Sequence, residues 1–94
     1  MEVLMLKQED CAFCDQAEEI LRRLASEYPP STLRIIDFGG PEGQQLALRG
    51  GMLFPPGVFV DGEPFSYGRL SERKLRREIE RRFETDQCQV GTRS

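Results

Sequence analysis

The sequence predicts one small α/β domain, ordered strand, helix, strand, short helix, β-hairpin and terminal helix. Two apolar runs, residues 3–6 and 33–38, flank a segment in which Ala17, Leu21, Leu24 and Tyr28 recur at helical spacing. An Asp61-Gly62 pair separates two further strand-like runs, and Leu75, Ile79 and Phe83 repeat every four residues near the C-terminus. At 94 residues the chain has room for a single hydrophobic core.

Each element has a local cause. Val3-Leu4-Met5-Leu6 is a short apolar run with polar flanks, as in a buried strand. The helix that follows starts around Cys11 and stops at Pro29-Pro30, because proline cannot continue a helix. Leu33-Arg-Ile-Ile-Asp-Phe38 is the second strand, closed by Gly39-Gly40. A helix between two strands acts as a crossover, so these strands are expected to run parallel with the helix packed on the sheet. Pro41 suits a first helical turn, and a short helix over residues 41–50 ends at Gly50-Gly51. Val58-Phe59-Val60, Asp61-Gly62 and residues 63–67 form a hairpin, since a type I′ turn needs positive φ at both central residues. The last element starts at Ser71 as N-cap, with Leu70 stapled to Leu75, and is read to residue 84. Residues 85–94 read as a polar, frayed tail outside the 1–84 domain.

Composition excludes several functions. A net charge of −3 and pI near 5.0 are unlike the strongly basic footprint of a nucleic-acid binder. The apolar runs are far too short for a membrane span, and no signal-peptide pattern is visible, so a cytoplasmic protein is expected. The chain has no histidine, which removes histidine-based catalysis and most zinc enzymes.

Three cysteines are too few, and odd in number, for a disulfide framework. Two of them stand as Cys11-Ala-Phe-Cys14 at the strand-to-helix junction; Cys88 is remote. The nucleophile of thiol–disulfide exchange is a thiolate, and a helix N-terminus favours negative charge there. Cys11 is then the exposed attacking thiol, and Cys14, one turn inside, is spaced to resolve the mixed disulfide. Glu9, Asp10 and Asp15 surround the pair and oppose the thiolate, which points to a less acidic attacking cysteine than in a strong oxidant. Asp15 also suits a plain stabilising role in the first helical turn. The same Cys-x-x-Cys could form half of a zinc site, although the remaining ligands would have to come from Cys88, carboxylates or a second chain.

The order of these elements, the Cys-x-x-Cys and Pro56-Gly57-Val58-Phe59 resemble the glutaredoxin branch of the thioredoxin-fold superfamily, and residues 62–75 resemble a small bacterial glutaredoxin-like subgroup. The resemblance spans residues 2–84. It implies a four-stranded mixed sheet with helices on both faces. It also implies a cis Pro56, a Pro55 backbone placed to pair with a bound thiol's peptide, and Lys7 as the cation for a glutathione carboxylate. Phe13 keeps an aromatic ring between the cysteines, and Tyr67 is read either as lining the site's rim or as a core or sheet-edge residue. The chain departs from the family pattern in its Ala12-Phe13 dipeptide and in Lys7, which stands one position further from Cys11. It also lacks the Gly-Gly-x-Asp-Asp stretch; residues 66–71, with basic Arg69, stand there instead.

The resulting expectation is a monomeric thiol–disulfide oxidoreductase acting on protein disulfides or small thiols. It would hold no permanently bound cofactor or metal, and its reductant would be glutathione or a thioredoxin-reductase-type system. Two alternatives use other features. A metal or iron–sulfur carrier would use Cys11, and a non-catalytic binding module would dock a partner through the last helix. That helix carries seven Lys/Arg against four Glu over residues 69–84, whereas residues 1–68 have five cations against eleven carboxylates. Such a run is more commonly a solvated face with helical Glu/Arg pairs. Phe38, Phe54, Phe59, Phe65 and Phe83 are expected in the core.

Overall fold

The computed structural model describes residues 1–92, with side chains through residue 83; the side chains of Cys88 and the rest of the polar tail therefore lie outside the described residues. The order is β1 (Glu2–Lys7), α1 (Ala12–Glu27), β2 (Thr32–Asp37), α2 (Pro41–Gly50), β3 (Gly57–Val60), β4 (Glu63–Tyr67) and α3 (Glu72–Thr92). The strands form one sheet in the order β2-β1-β3-β4. β1 pairs parallel with β2 and antiparallel with β3, which pairs antiparallel with β4.

Strand alternation divides the core between two faces. Val3, Met5, Val58 and Val60 point to one face, where Ala17, Ile20, Leu21 and Leu24 of α1 meet Leu75 and Ile79 of α3. Leu6 and Phe59 point to the other, where α2 covers them with Ala47 and the following loop with Met52. Covered on both sides, β3 is buried along its whole length. Leu75 is fully buried in the first cluster. Leu75→Ala is therefore expected to lower the unfolding free energy by about 2–5 kcal/mol, read from urea titration.

Turn chemistry behaves as the residue types dictate. Asp61 and Gly62 have φ of 50° and 82°, so both central positions of the hairpin turn are left-handed. The Ser71 Oγ accepts the Lys74 N–H at 3.3 Å as an N-cap, with Leu70 and Leu75 buried together. Helix α3 thus starts at Glu72, directly after the Ser71 cap, with Gly68 at φ 80° in the turn before it. It also continues to Thr92, past the end read at residue 84, because residues 85–90 contain no proline or glycine to break it.

One side-chain placement differs from the sequence reading. Phe54 is 54% exposed rather than in the core, since it lies in the loop before Pro55, ahead of the start of β3. Its ring stands edge-on to Tyr67 with centroids 5.1 Å apart. Both proline pairs, Pro29-Pro30 and Pro55-Pro56, are joined by cis peptide bonds. No helix among the described residues is long and apolar enough to cross a membrane.

Three of the seven cations of residues 69–84, Arg76, Arg81 and Arg82, pair with carboxylates of their own fold. Arg76 bonds Glu27 of α1 at 2.6 Å and Glu72 at 3.1 Å. Arg82 reaches Glu63 of β4 at 2.7 Å and Glu78 at 2.6 Å, and Arg81 reaches Glu78 at 2.6 Å. Partly exposed pairs of this kind contribute little stability each, so they mainly set how α3 lies against α1 and the hairpin.

Candidate active site

The site is assembled at the end of the sheet where β1 finishes. Antiparallel pairing sets Leu6 of β1 opposite Gly57, and Gly57 opposite Tyr67. The Cys11 turn, the Pro55-Pro56 loop and Tyr67 are thereby carried to one end of the molecule. The Gly68 N–H donates to the Pro56 carbonyl at 2.8 Å and closes the loop onto the end of β4. At Gly68 a side chain would press on Phe54, 2.9 Å from its Cε2, which together with the positive φ makes glycine the natural residue there.

Cys11 is the N-cap of α1, in extended conformation, and its side chain replaces the usual Ser or Asp oxygen. The Cys14 N–H donates to Cys11 Sγ at 3.1 Å, and the Asp15 N–H to the Cys11 carbonyl at 3.1 Å. Cys11 is half-buried, whereas Cys14 is wholly buried among Ala17, Met5 and Leu70 in the main core cluster. Both thiols are free. Burial, reinforced by the hydrogen bond with Cys11, pushes the Cys14 thiol up to about 11 from its ordinary 9.0. A backbone hydrogen bond from Gln8 opposes that shift.

The two cysteines are therefore chemically unequal. Cys14 holds its proton at neutral pH, so iodoacetamide at pH 7.5 is expected to modify Cys11 and spare Cys14 in the folded, reduced protein, as peptide mapping would show. The same shift has a stability consequence. A thiol held neutral in the folded state stabilises it fully below the unfolded value of 9.0, and this contribution is lost as pH rises towards about 11. The reduced protein should thus weaken in denaturant titrations across that interval, and Cys14→Ala should remove this part of the slope.

The remaining expected site residues are placed as follows. Phe13 is 51% exposed in the first turn of α1, and Tyr67 is 39% exposed beside Phe54. Pro55 is half-buried and Pro56 fully buried. Lys7 ends β1, but its ammonium is engaged: Nζ lies 2.6 Å from Glu18 Oε1 and 3.7 Å from Asp15 Oδ1. The pair with Lys7 and the bond to Arg22 hold the Glu18 carboxyl below its ordinary range.

Sequence reasoning overlooked Glu18, whose signal was the i,i+4 spacing to Arg22, and also Leu53, a 76%-exposed apolar residue in the loop beside Phe54. A groove of about 770 Å³, lined by Lys7, Gln8, Glu9, Asp10, Ile35 and Asp37, opens at the end of β1 and β2. Its Ile35 and Asp37 become visible only once β2 is paired with β1. Among the described residues, no group of three or more side chains is arranged to hold a metal ion.

This arrangement has a counterpart among solved structures. The chain is similar to a mutant thioredoxin from Halobacterium salinarum NRC-1, with 26% identity and a TM-score of 0.63, over 84% of this chain and 71% of that one. The fold is thioredoxin-like. No protein-family model and no curated protein matches the sequence. In this chain the matched arrangement is a mixed four-stranded sheet with three helices, and Cys11 and Cys14 stand at the mouth of α1.

Proposed function

We propose that the protein is a thiol–disulfide oxidoreductase that reduces protein or small-molecule disulfides through Cys11 and Cys14. The observation that carries this reading is the Cys11 Sγ at the cap of α1, accepting the Cys14 N–H at 3.1 Å, with a buried, protonated Cys14 beneath it. A likeness to a thioredoxin supports the same class of chemistry.

In the proposed cycle the Cys11 thiolate attacks one sulfur of a substrate disulfide. The substrate's S–S bond breaks, a Cys11–substrate disulfide forms, and the other substrate sulfur leaves as a thiolate that takes up a proton. Cys14 then loses its proton and attacks Cys11 Sγ, releasing the second substrate thiol. The protein dithiol has given up two electrons and two protons, and the substrate has gained them. An external thiol reductant, either glutathione or the dithiol of a reductase system, reverses the change. Pro55, Pro56, Phe13 and Tyr67 would receive the substrate chain beside Cys11, with Lys7 at the groove. The glutaredoxin-like branch is favoured by Pro56-Gly57-Val58-Phe59, and a reducing compartment such as the cytoplasm suits a cycle that starts from free thiols. The protein would act as a monomer with no resident cofactor.

Equilibration against reduced and oxidised glutathione, followed by alkylation and intact mass measurement, tests the proposal. A reversible loss of two alkyl groups, with a midpoint between roughly −200 and −270 mV, is expected. If the pair stays fully alkylated at every ratio after denaturing quench, the reading is wrong.

A further inference from the structure

The groove at the end of β1 has one cation among its lining residues, Lys7, facing three carboxylates: Glu9, Asp10 and Asp37. A ligand bearing carboxylates would need that ammonium. Lys7 is already committed elsewhere. Its Nζ is 2.6 Å from Glu18 Oε1, and the other oxygen of Glu18 accepts both Nε and Nη2 of Arg22 at 2.9 and 2.8 Å. Arg22 lies one turn further along α1, so the carboxylate is clamped from both sides and cannot follow Lys7 outward without giving up its bonds. Asp15, at 3.7 Å, pulls Lys7 in the same direction. The two partners agree: Glu18 draws Lys7 upward and Lys7 draws Glu18 downward in their proton affinities.

We propose that Glu18 is a specificity-determining residue: by holding Lys7 on α1 it leaves the groove anionic, so disulfides with cationic flanks react ahead of carboxylate-bearing ones. This rests on the dithiol reading above. Glu18 takes no part in bond exchange; it acts through Lys7, as a positioning residue. Discrimination follows from the difference between two ligands' interactions with the same field, so a small change in one ion pair is read as a ratio of rates.

The test uses the full-length reduced protein and two simple aliphatic disulfides, oxidised glutathione (carboxylates in excess) and cystamine (two amines). Single-turnover oxidation is followed by quenching, alkylation and intact mass, and each rate is divided by that of free dithiothreitol with the same disulfide. The wild-type protein should favour cystamine, and high salt should erase the preference. Glu18→Gln should narrow the cystamine-to-glutathione ratio about five-fold, in keeping with the modest worth of a half-exposed ion pair. Lys7→Gln should not narrow the ratio, because removing the ammonium leaves the groove at least as anionic as before. An unchanged ratio in Glu18→Gln, or a narrowed ratio in Lys7→Gln, overturns the proposal while leaving the dithiol cycle standing. Failure of both disulfides to oxidise the wild-type pair overturns both.

Discussion

Replacing Cys11 with serine is expected to lower disulfide reduction by at least about 10³-fold, since removing the nucleophile leaves no sulfur to form the mixed disulfide. The substitution keeps a capping oxygen at the same position, so α1 should persist and the loss should appear without unfolding. Cys14→Ser is expected to behave differently. Attack by Cys11 still occurs, but the cycle stops at the mixed disulfide, which accumulates stoichiometrically and is seen as an added mass on Cys11. The contrast follows from the geometry: Cys11 is half-buried at the helix mouth, whereas Cys14 is enclosed in the core. A Cys11→Ser protein with more than a tenth of wild-type turnover would leave the last helix, or another surface, to explain the activity.

Gly43→Ala is expected to destabilise the fold by about 3 kcal/mol or more, a large fraction of what a domain of this size possesses. A Cβ at Gly43 would overlap the Asp37 carbonyl oxygen and come within 2.9 Å of its carbon. Both obstacles are backbone, so neither can turn aside as a side chain could. The first turn of α2 sits directly on the end of β2, and the added methyl has to push helix and strand apart. A urea midpoint within experimental error of wild type would contradict this close approach. Gly51→Ala offers a contrasting control: its Cβ would meet nothing within 4 Å, and its cost would come only from the left-handed backbone at φ 68°.

Much of the fold was legible because its causes are local. The Pro29-Pro30 stop, the Asp61-Gly62 turn, the Ser71 cap and the Leu70–Leu75 staple each act within about one helical turn or one hairpin, so residue type and spacing suffice to find them. The Cys11–Cys14 spacing belongs to the same class: three residues along a helix start bring the Cys14 N–H to the Cys11 sulfur. Phe54 misled for the opposite reason. An aromatic residue between Leu53 and Pro55 looks like core by composition, but the strand begins only at Gly57, which leaves the ring outside against Tyr67. The sequence by itself thus determined the element order, the strand-to-helix seat of the two cysteines and the hairpin. Tertiary structure alone decided that Lys7 meets Glu18, that Asp37 and Ile35 join Glu9 and Asp10 in one groove, and that Gly43 lies against β2. Those contacts arise where a strand end, a helix face and a neighbouring strand converge, and their distances are set by how α1 and α2 pack on the sheet rather than by spacing along the chain.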